Sequence, residues 1–216
     1  MFNRLFSWFE NRVDPYPASE PKTPRNGLFG FIWSNLEGVR GWLVLLALLS
    51  GGIGIGEALL FQFIGKIVDW LGRYTPETLF AEKGLALVGM GVLMVVLVIW
   101  TFFTSAIRLQ VLQGVFPMRL RWNFHRLMLG QSLSFYQDEF AGRVSAKVMQ
   151  TALAVRDTVM TIADMVMYVL VYFITSGVIL VALDSWLLLP FVGWLIGFSL
   201  VMRFLIPRLG QTAARQ

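Results

Sequence analysis

Few side chains in this sequence have the chemistry for a functional role, and Glu57 is the most conspicuous of them. It interrupts an otherwise uncharged run from Gly41 to Gly65. An ionisable group in a lipid-facing helix is energetically costly and usually faces a cavity or a partner. Glu57, with Gln62 just over one turn further on, is therefore a candidate contact for a polar or cationic substrate. The simpler interpretation, which we favour, places Glu57 near the outer membrane interface, paired with Lys66 or water.

Several kinds of catalytic chemistry are excluded by composition. The 216 residues include no cysteine and one histidine, His125, so thiolate chemistry and multi-histidine metal sites are ruled out. Neither Gly-x-x-x-x-Gly-Lys-Ser/Thr nor Leu-Ser-Gly-Gly-Gln occurs. Leu49–Gly52 resembles the start of the second motif, but lies inside an apolar run. We expect no catalytic, cofactor or metal residues, and no ATP binding or hydrolysis by this chain alone.

The elements that must position these residues are membrane helices. The chain is 56% hydrophobic and 14% charged, with a mean hydropathy of +0.66, values typical of an integral membrane protein. Four apolar runs, at about 41–65, 84–107, 165–183 and 185–202, are long enough to cross a bilayer. The fold class predicted is all-α, with four transmembrane helices.

The distribution of basic residues predicts the topology. Five Lys or Arg residues precede position 41, seven lie between Arg108 and Asp164, and three follow Met202. The three between the first two spans are balanced by three acidic residues. The positive-inside rule therefore places both termini and loop 108–164 in the cytoplasm, in a multi-pass protein of the inner (plasma) membrane. This arrangement explains the net charge of +5 without nucleic acid.

The first 40 residues are predicted to form a separate cytoplasmic region, with the membrane domain at 41–216. Positions 14–27 hold four of the eight prolines and are typical of an extended linker. Positions 27–40 mix aromatic and charged residues just before the first span. They fit a helix along the inner leaflet or, equally, an aromatic anchor without fixed structure.

The second span is predicted to continue far beyond its apolar run. Apolar periodicity persists from Ile107 to Leu129, and a helix over 84–129 would be about 69 Å long. The hydrocarbon core accounts for only about 30 Å of that length. Positions 144–164 show the same periodicity. The second and third helices are therefore expected to extend into the cytoplasm and to be joined by the polar stretch 133–147.

Glycines within the spans favour close helix packing. Gly51, Gly52, Gly54 and Gly56 lie in the first span, and Gly193 and Gly197 in the last. Such small-residue pairs let helix backbones approach each other. A substrate groove is the alternative interpretation.

The polar stretch carries a family pattern: the aromatic pair Phe135–Tyr136, then Gly142, then Ala146–Lys147 opening the next helix. Ile67–Val68–Asp69 ends the first span in a matching way. With these motifs the chain resembles the transmembrane domain of ATP-binding cassette (ABC) exporters of the type I fold. The resemblance implies a coupling helix that docks on a nucleotide-binding domain. Its residues here would be Ser132, Leu133, Ser134, Phe135, Tyr136, Gln137, Asp138 and Glu139.

The resemblance also implies a mechanism and partners. An exporter of this family moves amphipathic or lipid-like substrates outward by alternating access. ATP and Mg²⁺ are bound by its nucleotide-binding domain, and a second transmembrane half completes a homo- or heterodimer. This sequence departs from the family at Gln150–Thr151, where Asn-Asp is common, and at Phe61, where proline is common. It also has four spans rather than six and no nucleotide-binding domain, so we expect an N-terminal fragment that is inactive as a transporter alone.

The residues alone leave two other classes of protein open. One is a self-standing four-helix accessory membrane protein that binds a cytoplasmic partner, and the other is a small channel or permease. If the chain is a partner-binding protein, binding of the partner should depend on Phe135 and Tyr136. If it is a channel, it should conduct its solute without ATP.

Overall fold

The computed structural model describes residues 12–20, 27–138 and 141–213; most of these residues are helical, residues 12–20 are irregular, and none of the described residues forms a strand. The chain divides into two compact units, Met1–Val171 and Tyr172–Gln216. The described α-helices, in chain order, are α1 (Leu28–Asn35), α2 (Arg40–Leu71), α3 (Pro76–Ala106), α4 (Phe116–Leu129), α5 (Leu133–Asp138), α6 (Ala141–Met160), α7 (Met167–Leu183) and α8 (Leu188–Ala213). The segments Ile107–Val115 and Thr161–Val166 are π-helical, and Ser185–Leu187 is a 3₁₀ turn.

The prediction of four spanning helices is confirmed. Helices long and apolar enough to cross a membrane cover Arg40–Leu71, Pro76–Leu129, Gly142–Leu183 and Ser185–Ile206. The second begins earlier than its apolar run because Thr75 and Thr78 form a capping box and Pro76 occupies the first turn. The Thr75 backbone N–H donates to Thr78 Oγ1 at 3.0 Å.

Two of these helices are much longer than a bilayer requires. The second has 54 residues and the third 42, or about 81 and 63 Å of helix. Their predicted extension beyond the apolar runs is confirmed. A π-helical segment ends at Val115, two residues before Pro117. Proline has no backbone N–H, so the regular bonding pattern is broken there in any case.

The core of the unit Met1–Val171 lies where α2, α4 and α6 meet, beside the π-helical segments. Its largest fully buried side chains include Leu46, Leu112, Phe116 and Leu120. In contrast, the apolar windows of the second, third and fourth spanning helices contain no buried residue in the part of the chain described. Apolar surface of this kind is stable only against lipid or other helices.

Helix α1 occupies the segment that precedes the first span. Its Phe31 ring stacks on Phe124 of α4 with centroids 6.0 Å apart, whereas Leu28 and Phe29 are exposed. The segment is therefore helical, and its location along the inner leaflet stays a prediction. The turn into α2 uses Gly38, whose φ of 87° favours glycine.

The unit Tyr172–Gln216 is a helical hairpin closed by a tight turn. Asp184 Oδ1 accepts a hydrogen bond from the Trp186 backbone N–H at 2.9 Å. Beyond the turn, the Trp194 ring stacks between those of Phe173 and Phe198, at centroid distances of 5.7 and 5.5 Å. Aromatic stacking joins the two helices of this hairpin.

Candidate functional site

The turn between the two long helices contains α5, which is only six residues long. Ser132 precedes it, and the Phe135 backbone N–H donates to the Ser132 carbonyl oxygen at 3.2 Å and to Ser132 Oγ at 3.4 Å. The Ser132 and Ser134 hydroxyls are 2.9 Å apart. A hydroxyl at this position satisfies a backbone donor that a short helix cannot pair internally.

Both aromatic side chains of the turn are anchored on their own hairpin. The Phe135 and Tyr136 rings meet edge to face at 5.3 Å, and the Tyr136 hydroxyl donates to the Met128 carbonyl oxygen at the end of α4. Phe135 is half-buried in an apolar groove of about 410 Å³ that is also lined by Phe124 and Val148. The aromatic pair therefore fixes the angle of α5 on the long helices.

The outward surface of the turn comes from other residues. Leu133 is 74% exposed, Tyr136 is 39% exposed, and Ser134 and Gln137 are also exposed. Asp138 closes α5, and Glu139 lies outside the described residues. An exposed leucine at the tip of a polar turn is suited to an apolar contact with a partner. The role of all eight turn residues in coupling stays a prediction.

Glu57 has a partner on another spanning helix. The Tyr168 hydroxyl donates to Glu57 Oε2, joining α2 to α7. Lys66, the partner expected from the sequence, has its ammonium 5.6 Å from the centre of the Phe63 ring. Gln62 lies five residues beyond Glu57 on α2 and is half-buried. The role of Glu57 and Gln62 along a substrate path stays a prediction.

Three polar residues for which the sequence predicts no role form a second contact between helices. Asp164 Oδ2 accepts from Arg108 Nη1 at 2.9 Å, and Asp164 Oδ1 accepts from Ser50 Oγ at 2.6 Å. Ser50 is 1% exposed, and the Arg108 and Asp164 side chains are 45% and 24% exposed. We call this group the Asp164 clamp. It connects the first, second and third spanning helices through one carboxylate.

The two charged members of the Asp164 clamp border uncharged runs of the sequence. Arg108 directly follows the uncharged run 84–107, and Asp164 directly precedes the run 165–183. Glu57 is seven residues from Ser50 along α2, or about 10 Å. The placement of Glu57 near the outer membrane interface stays a prediction.

Both charged members of the Asp164 clamp lie in π-helical segments. Arg108 belongs to Ile107–Val115 and Asp164 to Thr161–Val166. Segments of this kind are rare and often occur at functional sites, because the wider turn changes where a side chain points. The sequence signal for Arg108 and Asp164 was their position at the ends of uncharged runs. Ser50 carried no such signal.

The glycine cluster of the first span packs against two helices. A Cβ at Gly52 would lie 2.6 Å from the Trp100 ring, and one at Gly51 would lie 3.2 Å from Val171. The Trp100 indole N–H donates to the Leu49 carbonyl oxygen at 3.0 Å, so its ring is held in place. The interpretation of this cluster as a packing surface is confirmed.

Comparison with known proteins adds one match over the whole chain. The 216 residues are 68% identical to a protein of Haemophilus influenzae described as an "Uncharacterized ABC transporter ATP-binding protein". The match spans all of this chain and 35% of the length of that protein. No protein-family profile and no solved structure matches the chain.

Proposed function

Because the chain is homologous along its whole length to part of an ABC transporter protein, we propose that it forms transmembrane helices of an ABC exporter. The observation that carries this proposal is the hairpin of two helices, 54 and 42 residues long, that ends in the capped turn around α5. Helices of this length place the turn well outside a bilayer, where a soluble ATPase domain has access to it.

The proposed mechanism is alternating access. Closure of two nucleotide-binding domains around ATP and Mg²⁺ displaces α5, with Leu133 as the exposed contact. Phe135 and Tyr136 transmit the displacement because they fix α5 to the ends of the long helices. The buried core between α2, α4 and α6 then carries the movement toward the membrane.

The Asp164 clamp is suited to be the point where that movement enters the membrane. It joins three spanning helices, and its two charged members lie in the π-helical segments of two of them. A charge-assisted hydrogen bond is either formed or broken. The helices that it joins are therefore favoured to move together.

The proposed substrate is an amphipathic or lipid-like molecule. Glu57 and Tyr168 bring a carboxylate and a hydroxyl together between two spanning helices, and the spanning helices around them present apolar surface. A substrate with one polar group and an apolar body matches both features. A second transmembrane half is the proposed partner that closes the path.

The experiment is ATP-dependent transport of a fluorescent phospholipid analogue in proteoliposomes containing the ABC protein that carries this chain. We expect Leu133→Asp to abolish ATP-dependent transport, because a charge at the apolar contact prevents docking. Leu129→Asp is the matched control, since Leu129 is 69% exposed at the end of α4 but lies outside the turn. Flux that needs no ATP would indicate a channel or permease. Transport unaffected by Leu133→Asp would exclude the turn as the coupling element.

A further inference from the structure

Residues 12–20, which we call the strap, lie along α4 although their composition is typical of a free linker. Val13 is 2% exposed and belongs to the same buried core as Leu36 and Val39. Pro17 is also buried. A segment with an apolar residue inserted in the core is held by the protein and does not move independently of it.

Three side chains of α4 donate hydrogen bonds to the strap. Arg119 Nη1 donates to the Asp14 carbonyl oxygen at 2.8 Å, and Trp122 Nε1 donates to that of Pro17 at 3.2 Å. Arg126 Nη1 lies 3.1, 3.2 and 2.6 Å from the carbonyl oxygens of Pro17, Ala18 and Ser19. Positions 119, 122 and 126 share one face of a helix.

The strap and this face are chemically complementary. Arginine and tryptophan side chains donate hydrogen bonds and accept none. Pro15 and Pro17 have no backbone N–H, so the strap offers mainly carbonyl acceptors in this stretch. The prolines also restrict the unbound strap and so reduce the entropy lost on docking. The Tyr16 ring adds an edge-to-face contact on Trp122 at 5.5 Å.

We propose that Arg119, Trp122 and Arg126 form a docking face for extended, proline-containing peptide, and that its occupant is the strap of this chain. Because the hydrogen bonds are to carbonyl oxygens, recognition depends on the prolines and the backbone and tolerates changes at positions 18 and 19. Arg119 also touches the turn between α1 and α2, where a Cβ at Gly38 would lie 2.6 Å from Nη2.

The consequence is that docking fixes α1 to α4. The strap precedes α1 in the sequence, and Arg119 bridges the strap and the turn that follows α1. If the hairpin moves with an ATPase, which rests on the proposed function, α1 moves with it. The docking itself requires neither ATP nor substrate, so it is tested separately from transport.

The first test uses the whole chain in lipid nanodiscs and compares two measurements of strap docking. One is the rate of tryptic cleavage between Arg12 and Val13, and the other is the mobility of a nitroxide at Ala18→Cys. The label site is unique because the chain has no cysteine. In Arg119→Ala/Arg126→Ala we expect cleavage to accelerate by about tenfold or more and the nitroxide to become mobile.

Matched variants separate docking from loss of fold. Arg121→Ala removes a neighbouring arginine of α4, and Ser19→Ala keeps the carbonyl that Arg126 binds. Both should stay within about twofold of the unmodified chain. Pro17→Ala alters only the strap and should accelerate cleavage without disturbing the helices. A strap that stays protected in the double variant, or is released equally by Ser19→Ala, would overturn the proposed docking face.

The second test measures whether docking fixes α1. Nitroxides at Phe29→Cys and Met118→Cys, both on exposed positions, report the distance between α1 and α4. We expect a narrow distance distribution in the unmodified chain and a broad one in Arg119→Ala/Arg126→Ala. An equally narrow distribution in both would show that α1 is held without the strap.

Discussion

At the scale of single residues, Asp164 has the contacts that matter most for the membrane region. Its two oxygens accept from Ser50 and Arg108 on two other spanning helices. Removing the carboxylate leaves a buried hydroxyl and a guanidinium without this acceptor. Because the Arg108 side chain is 45% exposed, solvent hydrates its guanidinium and reduces the loss of stability.

We expect Asp164→Ala to lower the free energy of unfolding by about 1–3 kcal/mol, measured as a reduced thermal midpoint in detergent. Asp157→Ala is the matched control. Its side chain is 63% exposed and pairs with the adjacent Arg156 on the same helix, so its loss should have little effect. Equal destabilisation by both substitutions would show that the clamp has no special role. The exchange Arg108→Asp/Asp164→Arg should recover part of the stability.

Gly52 gives a second prediction at this scale. Gly52→Ala places a methyl group 2.6 Å from the Trp100 ring, which its hydrogen bond to Leu49 holds in place. We expect a loss of about 1–3 kcal/mol in the free energy of unfolding. Gly65→Ala, on the same helix with nothing within 4 Å, should be neutral or slightly stabilising. Equal thermal midpoints for the two variants would contradict tight packing at Gly52.

At the scale of elements, the long second helix allows a test of the predicted topology. Positions on Pro76–Leu129 beyond the Asp164 clamp should be aqueous and cytoplasmic, while those in the apolar run should be in lipid. Met118→Cys should therefore react with a membrane-impermeant maleimide only in inside-out vesicles. Val96→Cys should react in neither orientation. Labelling of Met118→Cys from the outside of intact cells would reverse the assigned topology.

The helices and their lengths were predictable because hydropathy and periodicity are local properties of a sequence. The turn around α5 was also located correctly, because its polar residues interrupt two periodic segments. The Asp164 clamp was not predictable, since Ser50 and Asp164 are 114 positions apart and no periodicity indicates a π-helical segment. Docking of the strap was not predicted either. A proline-rich composition indicates an extended chain, but it does not reveal the hydrogen-bond donors on α4 that bind it.

At the scale of the whole molecule, the unburied apolar surfaces of the spanning helices are consistent with further partners. Gly193 and Gly197 have open space where a Cβ would lie, so their expected close packing is not met within the described residues. The chain spans 35% of the length of the related Haemophilus influenzae protein. A second transmembrane half and a nucleotide-binding domain remain the proposed partners of these surfaces and of α5.

Photo-crosslinking from position 133, with a benzophenone amino acid replacing Leu133 in the proposed ABC exporter, tests directly whether α5 contacts a nucleotide-binding domain. Leu133 is the most exposed apolar residue of the turn among those described. We expect an adduct with the nucleotide-binding domain whose yield changes when ATP is added, and no such adduct from position 96 in the apolar run. Adducts only with lipid, or none with a nucleotide-binding domain, would contradict the assignment of α5 as the coupling element.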